Sequence, residues 1–243
     1  MLKEFAELAK RFQKIEKAGW IQAANFNSGL FLEKLLGLGV NDFFIPDFGN
    51  VEIKTHKKGS CSKINLFTVV PDSGFCESKR LASLYGYPDK DFKNINILAA
   101  SFNANSNNII ACKYFFRLVV NRKAKKIYIV IYDLFFRILD DKTFWTFELL
   151  EERINIKLKF LAICCNESIF FRGKKYFRYS NFEFFQIKNF DTFINLVESG
   201  VIWGNIRVSV FKGNYRYKQL HDHGCGFTID FKDITKLYDR VDF

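Results

Sequence analysis

Apolar residues recur at helical spacing from the start of the chain. Leu2, Phe5, Leu8, Ala9, Phe12 and Ile15 fall on one side of a 3.6-residue period and Lys and Glu on the other, which predicts an amphipathic helix over the first seventeen or so residues. A second helix is predicted over residues 29–36, between the polar stretch 25–28 and the break at 37–39. The period then shortens to two. Residues 42–46 and 51–56 read as strands flanking the turn Phe48-Gly49-Asn50, and 64–70 as a third strand. Residues 72–110, rich in Asp, Ser, Gly and Asn, read as a long loop with short elements, and 114–120 and 126–136 as a hairpin around a basic turn. Further strands are predicted at 154–165, 176–185 and 205–211, and at 226–231 after a loop. Short helices are predicted at 190–199 and 234–238.

The chain has 243 residues, 49% of them hydrophobic, enough for one domain or two packed lobes that fold without metal or disulfide. No run of about 18 uncharged apolar residues occurs, and the N-terminus alternates charged with apolar groups, so the chain reads as soluble, intracellular and not membrane-bound. Its six cysteines include no CxxC pair and read as reduced thiols. Most of the 30 Phe read as core or as a biased codon composition, and none is assigned a function. Lys and Arg exceed Asp and Glu by 37 to 26, a net charge of +11, which favours a polyanionic partner, nucleic acid or acidic lipid. No helix combines a Lys-rich face with a broad Trp or Leu face, which counts against lipid.

One segment narrows the chemistry. Pro46-Asp47-Phe48-Gly49-Asn50-Val51-Glu52-Ile53-Lys54 places an acid before a turn, then an acid and a lysine two apart on a strand. Strand side chains alternate, so Glu52 and Lys54 share one face while Val51 and Ile53 point into the core. Asp47 and Glu52 suit Mg²⁺, which takes hard oxygen ligands, and Lys54 could orient or deprotonate the attacking water or stabilise a pentavalent phosphate. Taken alone, the string also fits a salt-bridged strand edge. Glu33, on the predicted helix upstream, could aim a third carboxylate at the same metal or lie on the surface.

A second group lies near the C-terminus. Asn205, Arg207 and Ser209 share the polar face of a predicted strand, near His221-Asp222-His223-Gly224. Arg pairs with guanine O6 and N7, His donates to the same atoms, and Asp accepts from the cytosine amine, so the set suits G·C pairs. A metal site, or a structural turn with His capped by Asp, fits the same residues. Lys212, Arg216 and Lys218 could neutralise phosphates.

As a set these residues resemble the MvaI/BcnI restriction endonucleases, relatives of the mismatch-repair nicking enzyme MutH. The matching features are Gly29 and Glu33 in a helix ending Leu-Leu-Gly; PDFGNVEIKTH with Asp47, Glu52, Lys54 and His56; the Leu66-Phe67-Thr68 strand; the Ile-Arg strand with Arg207; and HDHG followed by Phe-x-Ile. They span residues 25–230 in order. The resemblance implies a mixed α/β fold with a PD-(D/E)xK core and two lobes with a DNA-binding cleft between them. The catalytic lobe would occupy roughly 1–110 with parts of 111–165, and the recognition lobe roughly 166–243. It implies a cytoplasmic, prokaryotic type II endonuclease, monomeric and Mg²⁺-dependent. Such an enzyme would nick each strand of double-stranded DNA in turn at a short CC/GG-flanked site, with a cognate methyltransferase as its partner. Asp47, Glu52 and Lys54 become catalytic, and Arg207, His221, Asp222 and His223 base-contacting. Two departures, Thr228 where the pattern has Arg and Asn205 where it has Asp, bear on the inner or central bases. His56 would be structural or phosphate-binding. A MutH-like nicking enzyme and a non-catalytic DNA-binding protein are the alternatives.

Overall fold

The computed structural model describes residues 2–23, 26–39, 45–74, 76–106, 108–213 and 215–242. In chain order the elements are α1 (Leu2–Ala18), β1 (Ile21–Ala23), α2 (Ser28–Leu35), β2 (Val51–Lys57), β3 (Lys63–Thr68), α3 (Glu77–Tyr85), β4 (Tyr87–Pro88), β5 (Asn96–Phe102), β6 (Ile109–Ile110) and β7 (Tyr114–Asn121). There follow β8 (Lys126–Tyr132), β9 (Ile138–Thr146), α4 (Phe147–Lys157), β10 (Phe160–Phe171), β11 (Lys174–Ile187), α5 (Phe190–Glu198), β12 (Ile202–Val210), β13 (Leu220–Asp230), α6 (Ile234–Leu237) and β14 (Tyr238–Val241). This is a mixed α/β fold. Among the described residues no helix is long and apolar enough to cross a membrane, and all six cysteines are free.

The chain divides into two compact units. The first comprises 1–64, 152–189 and 230–243, and the second 65–151 and 190–229. In the first, a five-stranded sheet runs β1-β11-β10-β2, with β14 also on β11, and β2 lies parallel to β10. One face is covered by α1, whose Phe5, Leu8, Phe12 and Ile15 form a core with Phe31 and Leu32 of α2, Val51 and Ile53 of β2, and Phe160, Phe177 and Phe184. Burying each such side chain contributes about 1.5–3 kcal/mol, so the helical period read in the sequence is what fastens α1 to the sheet. Two sheets build the second unit, β3-β13-β12-β5-β4 and β6-β7-β8-β9. Its core includes Phe67, Trp145, Phe193 and Phe227, with ring centroids 5.1–6.0 Å apart.

Several sequence expectations are corrected. The stretch 72–110 is no long loop; it carries α3, β4, β5 and β6. Residues 154–157 are the last turn of α4, and the strand begins at Phe160. The His-Asp-His-Gly segment lies within β13, not in a loop before it. The strand expected at 42–46 falls on residues 42–44 outside the described set, and Ile45 and Pro46 are not in a strand. The two compact units interleave in sequence, because β10 pairs with both β2 and β11 and holds 160–187 in one sheet with 51–57.

Candidate active site and base-reading surface

Asp47 is fixed by the turn that follows it. Phe48 and Val51 exchange backbone hydrogen bonds of 3.0 and 2.8 Å, which closes the turn, and the Asp47 carboxylate accepts the Ile53 N–H at 2.7 Å. The chain thus folds back so that an acid six residues before Ile53 is tied to β2. Gly49 makes this possible with φ +56°. A Cβ there would stand 2.1 Å from Glu4 Oε1, the oxygen that accepts the Asn50 N–H. We therefore expect Gly49→Ala to lower stability by about 1–2 kcal/mol, the cost of a left-handed non-glycine residue, together with loss of the Glu4 contact; thermal unfolding measures it.

Val51 and Ile53 are buried in the core, and Glu52 and Lys54 lie on the opposite face of β2. Glu52 is only 1% exposed. Its Oε1 accepts from Lys54 Nζ and lies 3.4 Å from Lys157 Nζ, at the end of α4. Among the described residues its buried Oε2 has no hydrogen-bond partner. Glu33 is carried by α2, which Asn27 caps by accepting the Leu30 N–H at 2.9 Å. The Ser28 and Thr55 hydroxyls, 3.1 Å apart, link that helix to β2. Burial raises the pKa of Glu33 and Glu52 above the ordinary carboxylate value, repulsion from Asp47 adds to it, and Lys54 and Lys157 oppose it. Three carboxylates and two lysines therefore share one electrostatic environment.

Lys157 was not anticipated from sequence because its segment read as strand. Among the described residues no three His, Cys, Asp or Glu side chains stand as a preassembled metal cluster. Mg²⁺ characteristically takes one or two carboxylates and completes its shell with water and phosphate. A buried oxygen on Glu52, orphaned among the described residues and in the field of Asp47, suits such an ion. His56 continues the face of Glu52 and Lys54 but is 6% exposed and stacked on Phe231, with ring centroids 4.4 Å apart. A ring so enclosed is held by its packing.

The other group gathers in the second unit. Along β12, Arg207 is exposed and Asn205 and Ser209 half-buried, while Ile206, Val208 and Val210 are buried, as alternation requires. The register against β13 shifts between Ile206↔Cys225 and Val208↔Asp222, so His223 and Gly224 together oppose Arg207. This is a β-bulge. Gly224, at φ +87°, supplies the left-handed residue, and Asp222 Oδ1 accepts its N–H at 2.7 Å. A Cβ on Gly224 would come within 2.4 Å of Thr68 Cγ2. The bulge re-aims the histidines: Ser209 Oγ lies 2.8 Å from His223 Nε2, His223 packs on His221 at 4.0 Å, and His221 stacks on Phe211 at 4.2 Å. Burial lowers the His223 pKa, and His221 and Arg207 lower it further, so the ring stays neutral near pH 7 and can donate through one nitrogen and accept through the other.

Arg207, His221, Asp222, His223, Ser209 and Asn205 are thus brought together. Thr228 is not among them: it is buried on β13, its hydroxyl unpartnered among the described residues. Lys212 is engaged by Asp91 and, at 3.8 Å, by Asp89.

Residues 9–238 match the sequence profile of the MvaI/BcnI restriction endonuclease family. No curated protein sequence matches the chain. The solved complex of restriction endonuclease MvaI with its cognate DNA substrate is similar at TM-score 0.88 and 25% identity, over 96% of each chain. MvaI in the absence of DNA is similar at TM-score 0.64 and 24% identity, over 99% of this chain and 98% of that one.

Proposed function

The chain belongs to the MvaI/BcnI restriction endonuclease family, and from that premise we propose that it hydrolyses double-stranded DNA at Asp47, Glu52 and Lys54, with Mg²⁺, at a short G·C-flanked site of the CC/GG type. The enzyme class, a site-specific DNA endonuclease, follows from the family. The observation that carries the residue assignment is the buried Oε2 of Glu52, unpartnered among the described residues, in the field of Lys54, Asp47 and Lys157.

Asp47 and Glu52, with Glu33, would hold the divalent ion. When bound, the ion supplies charge neutralisation at the phosphate and acidifies a water molecule. Lys54, with its ammonium already at Glu52, is placed to orient the attacking water or stabilise the charge developing on phosphorus. Lys157 holds the same carboxylate oxygen from α4 and limits its movement. In the second unit, Arg207, His221, Asp222 and His223 read base edges, with Asn205 beside them. The enzyme acts as a monomer, cutting one strand and then the other, in the cytoplasm of a prokaryote whose separate methyltransferase protects the same site.

Incubation of the protein with plasmid and phage DNA in Mg²⁺, with an EDTA control, followed by sequencing of fragment ends, tests this reading. Discrete ends sharing one short G·C-flanked site are expected. Binding without Mg²⁺-dependent scission would leave a DNA-binding protein and remove the catalytic assignment.

A second expectation concerns the ion itself. Carboxyls ligate when deprotonated, and burial raises the pKa of Glu52 and Glu33. Protonation therefore competes with the ion at a higher pH than at an exposed carboxylate. Mg²⁺ should raise the melting temperature by an amount that grows as pH rises above the ordinary carboxylate range, and Glu52→Gln should erase the increment. An increment independent of pH and of Glu52 would place the ion elsewhere.

A further inference from the structure

The β10–β11 hairpin ends in an arm that nothing in the catalytic or base-reading groups uses. Its turn is made by Arg172 and Gly173, both at positive φ (49° and 72°), the signature of a tight two-residue connection between twisted strands. Phe171 pairs with Lys174 and Phe170 with Lys175, so the ladder is complete to the tip. Consecutive strand residues point to opposite faces, yet Phe170 is 76% and Phe171 55% exposed, and Ile169 is exposed as well. Among the described residues neither face of the arm tip is covered. Two adjacent solvent-exposed phenyl rings at a loop tip are costly to keep unless something meets them.

The charge on the arm points to what meets it. No acidic residue occurs between Glu167 and Glu183, whereas Arg172, Lys174 and Lys175 sit around the tip. Among the described residues these three make no ion pair, unlike Arg178, which Glu167 engages, and Lys58, 3.4 Å from the same Glu167. The Arg172 guanidinium lies 5.2 Å from the Phe171 ring centroid, so cation and ring present themselves together. Interleaved aromatic rings and unpaired cations complement a nucleic-acid backbone, phosphates taking the charges and sugars or bases the rings.

The arm belongs to the strand beside the catalytic one. Ile163 of β10 is the register partner of Lys54, and seven residues separate it from Phe170. At about 3.3 Å per strand residue, the tip lies roughly 23 Å from the level of Lys54, equivalent to about seven base pairs of duplex.

We propose that this arm, Phe170, Phe171, Arg172, Lys174 and Lys175, grips the backbone of duplex DNA flanking the target site, up to about seven base pairs from the scissile phosphate. The proposal rests on the endonuclease reading above. It adds a contact that carries no sequence information and strengthens non-specific binding, the state in which such an enzyme searches.

The test is the salt dependence of binding to a random-sequence duplex of about 40 base pairs in EDTA, followed by fluorescence anisotropy. Wild type is compared with the triple variant Arg172→Gln, Lys174→Gln, Lys175→Gln and with Phe170→Ser, Phe171→Ser. Each phosphate contact contributes about 0.9 to the slope of log K against log salt, so the triple variant should be shallower by about 2 to 3 and bind at least tenfold more weakly near 0.1 M salt. The Phe variant should lose several-fold in affinity at an unchanged slope. Unchanged thermal unfolding of both variants excludes misfolding as the cause, and Arg172→Lys should keep the wild-type slope. Variants that match wild type in slope and affinity overturn the arm but leave the nuclease intact. A wild type that binds no duplex overturns both. Variants that bind DNA normally but lose binding to phosphatidylserine vesicles overturn the arm in favour of a membrane.

Discussion

Glu52→Gln is expected to abolish DNA cleavage and, at the same time, to raise the melting temperature of the metal-free protein at neutral pH. The first effect follows from removing a charged oxygen ligand and the negative charge that pairs with Lys54. Losses of at least about 10³-fold in cleavage rate are expected for a group of that kind. The second follows from linkage. A carboxyl whose pKa is raised in the folded state binds protons there more readily than in the unfolded chain. Stability therefore falls as pH rises through the window between the unfolded value and the raised one. Above that window the ionised Glu52 opposes folding, since burial and Asp47 outweigh Lys54 and Lys157. Gln keeps the shape and an acceptor oxygen for the lysines without the buried charge. Glu52→Ala should behave differently, because it opens a cavity and leaves two largely enclosed lysines without a shared acceptor. Plasmid cleavage and calorimetry of the three proteins decide the matter. A Gln variant that cuts at the wild-type rate sinks the catalytic assignment, and one that is less stable than wild type at pH 7 but not at pH 4 sinks the electrostatic account.

The candidate site is more legible in the sequence than the fold is. Asp47, Glu52 and Lys54 lie within eight residues of sequence, their geometry set by a glycine turn and by strand alternation, both of which are local. Lys157 was illegible for the opposite reason. Ile154, Ile156, Leu158 and Phe160 alternate with polar residues and imitate a strand, yet Ile154 and Leu158 are buried four residues apart while Ile156 is 45% exposed. Helix and strand periods coincide over so short a stretch, and the parallel register of β10 on β2, which decides between them, is a contact across about a hundred residues of chain.

Two further differences have the same root. Helix α3 hides in a polar segment because Arg80 makes its stabilising contacts elsewhere, bonding Asp140 and Thr143 on β9 as well as Glu77. Asp222 and Gly224 read as a loop because Asx turns and positive φ are loop chemistry; here the same chemistry makes a bulge inside a strand. The interleaving of the units likewise has no local signal, since each crossing is an ordinary connection and only strand pairing shows which sheet a segment joins.

The bulge sets up the second large expectation, that Arg207→Ala destroys discrimination between the target site and other DNA while leaving the fold intact. Arg207 is exposed on β12, so its removal vacates no core and thermal unfolding should be unchanged. In the ladder Arg207 stands opposite His223 and Gly224, at the extra residue of β13, and its charge acts on the His223 ring. A planar fork there fits guanine O6 and N7, and losing one such pair costs about 1–3 kcal/mol, a factor of roughly 5 to 150 in preference for the correct base. Arg207→Lys should fail nearly as badly, because it keeps the charge and loses the fork. The decisive measurement is a cycle pairing Arg207→Ala with replacement of the contacted guanine by 7-deazaguanine, which removes the N7 acceptor. Wild type should lose affinity on the altered duplex and the variant should not, since the interaction is already gone. Equal losses in both proteins would mean that Arg207 touches phosphate rather than base, and the reading of G·C pairs would then rest on His221, Asp222 and His223.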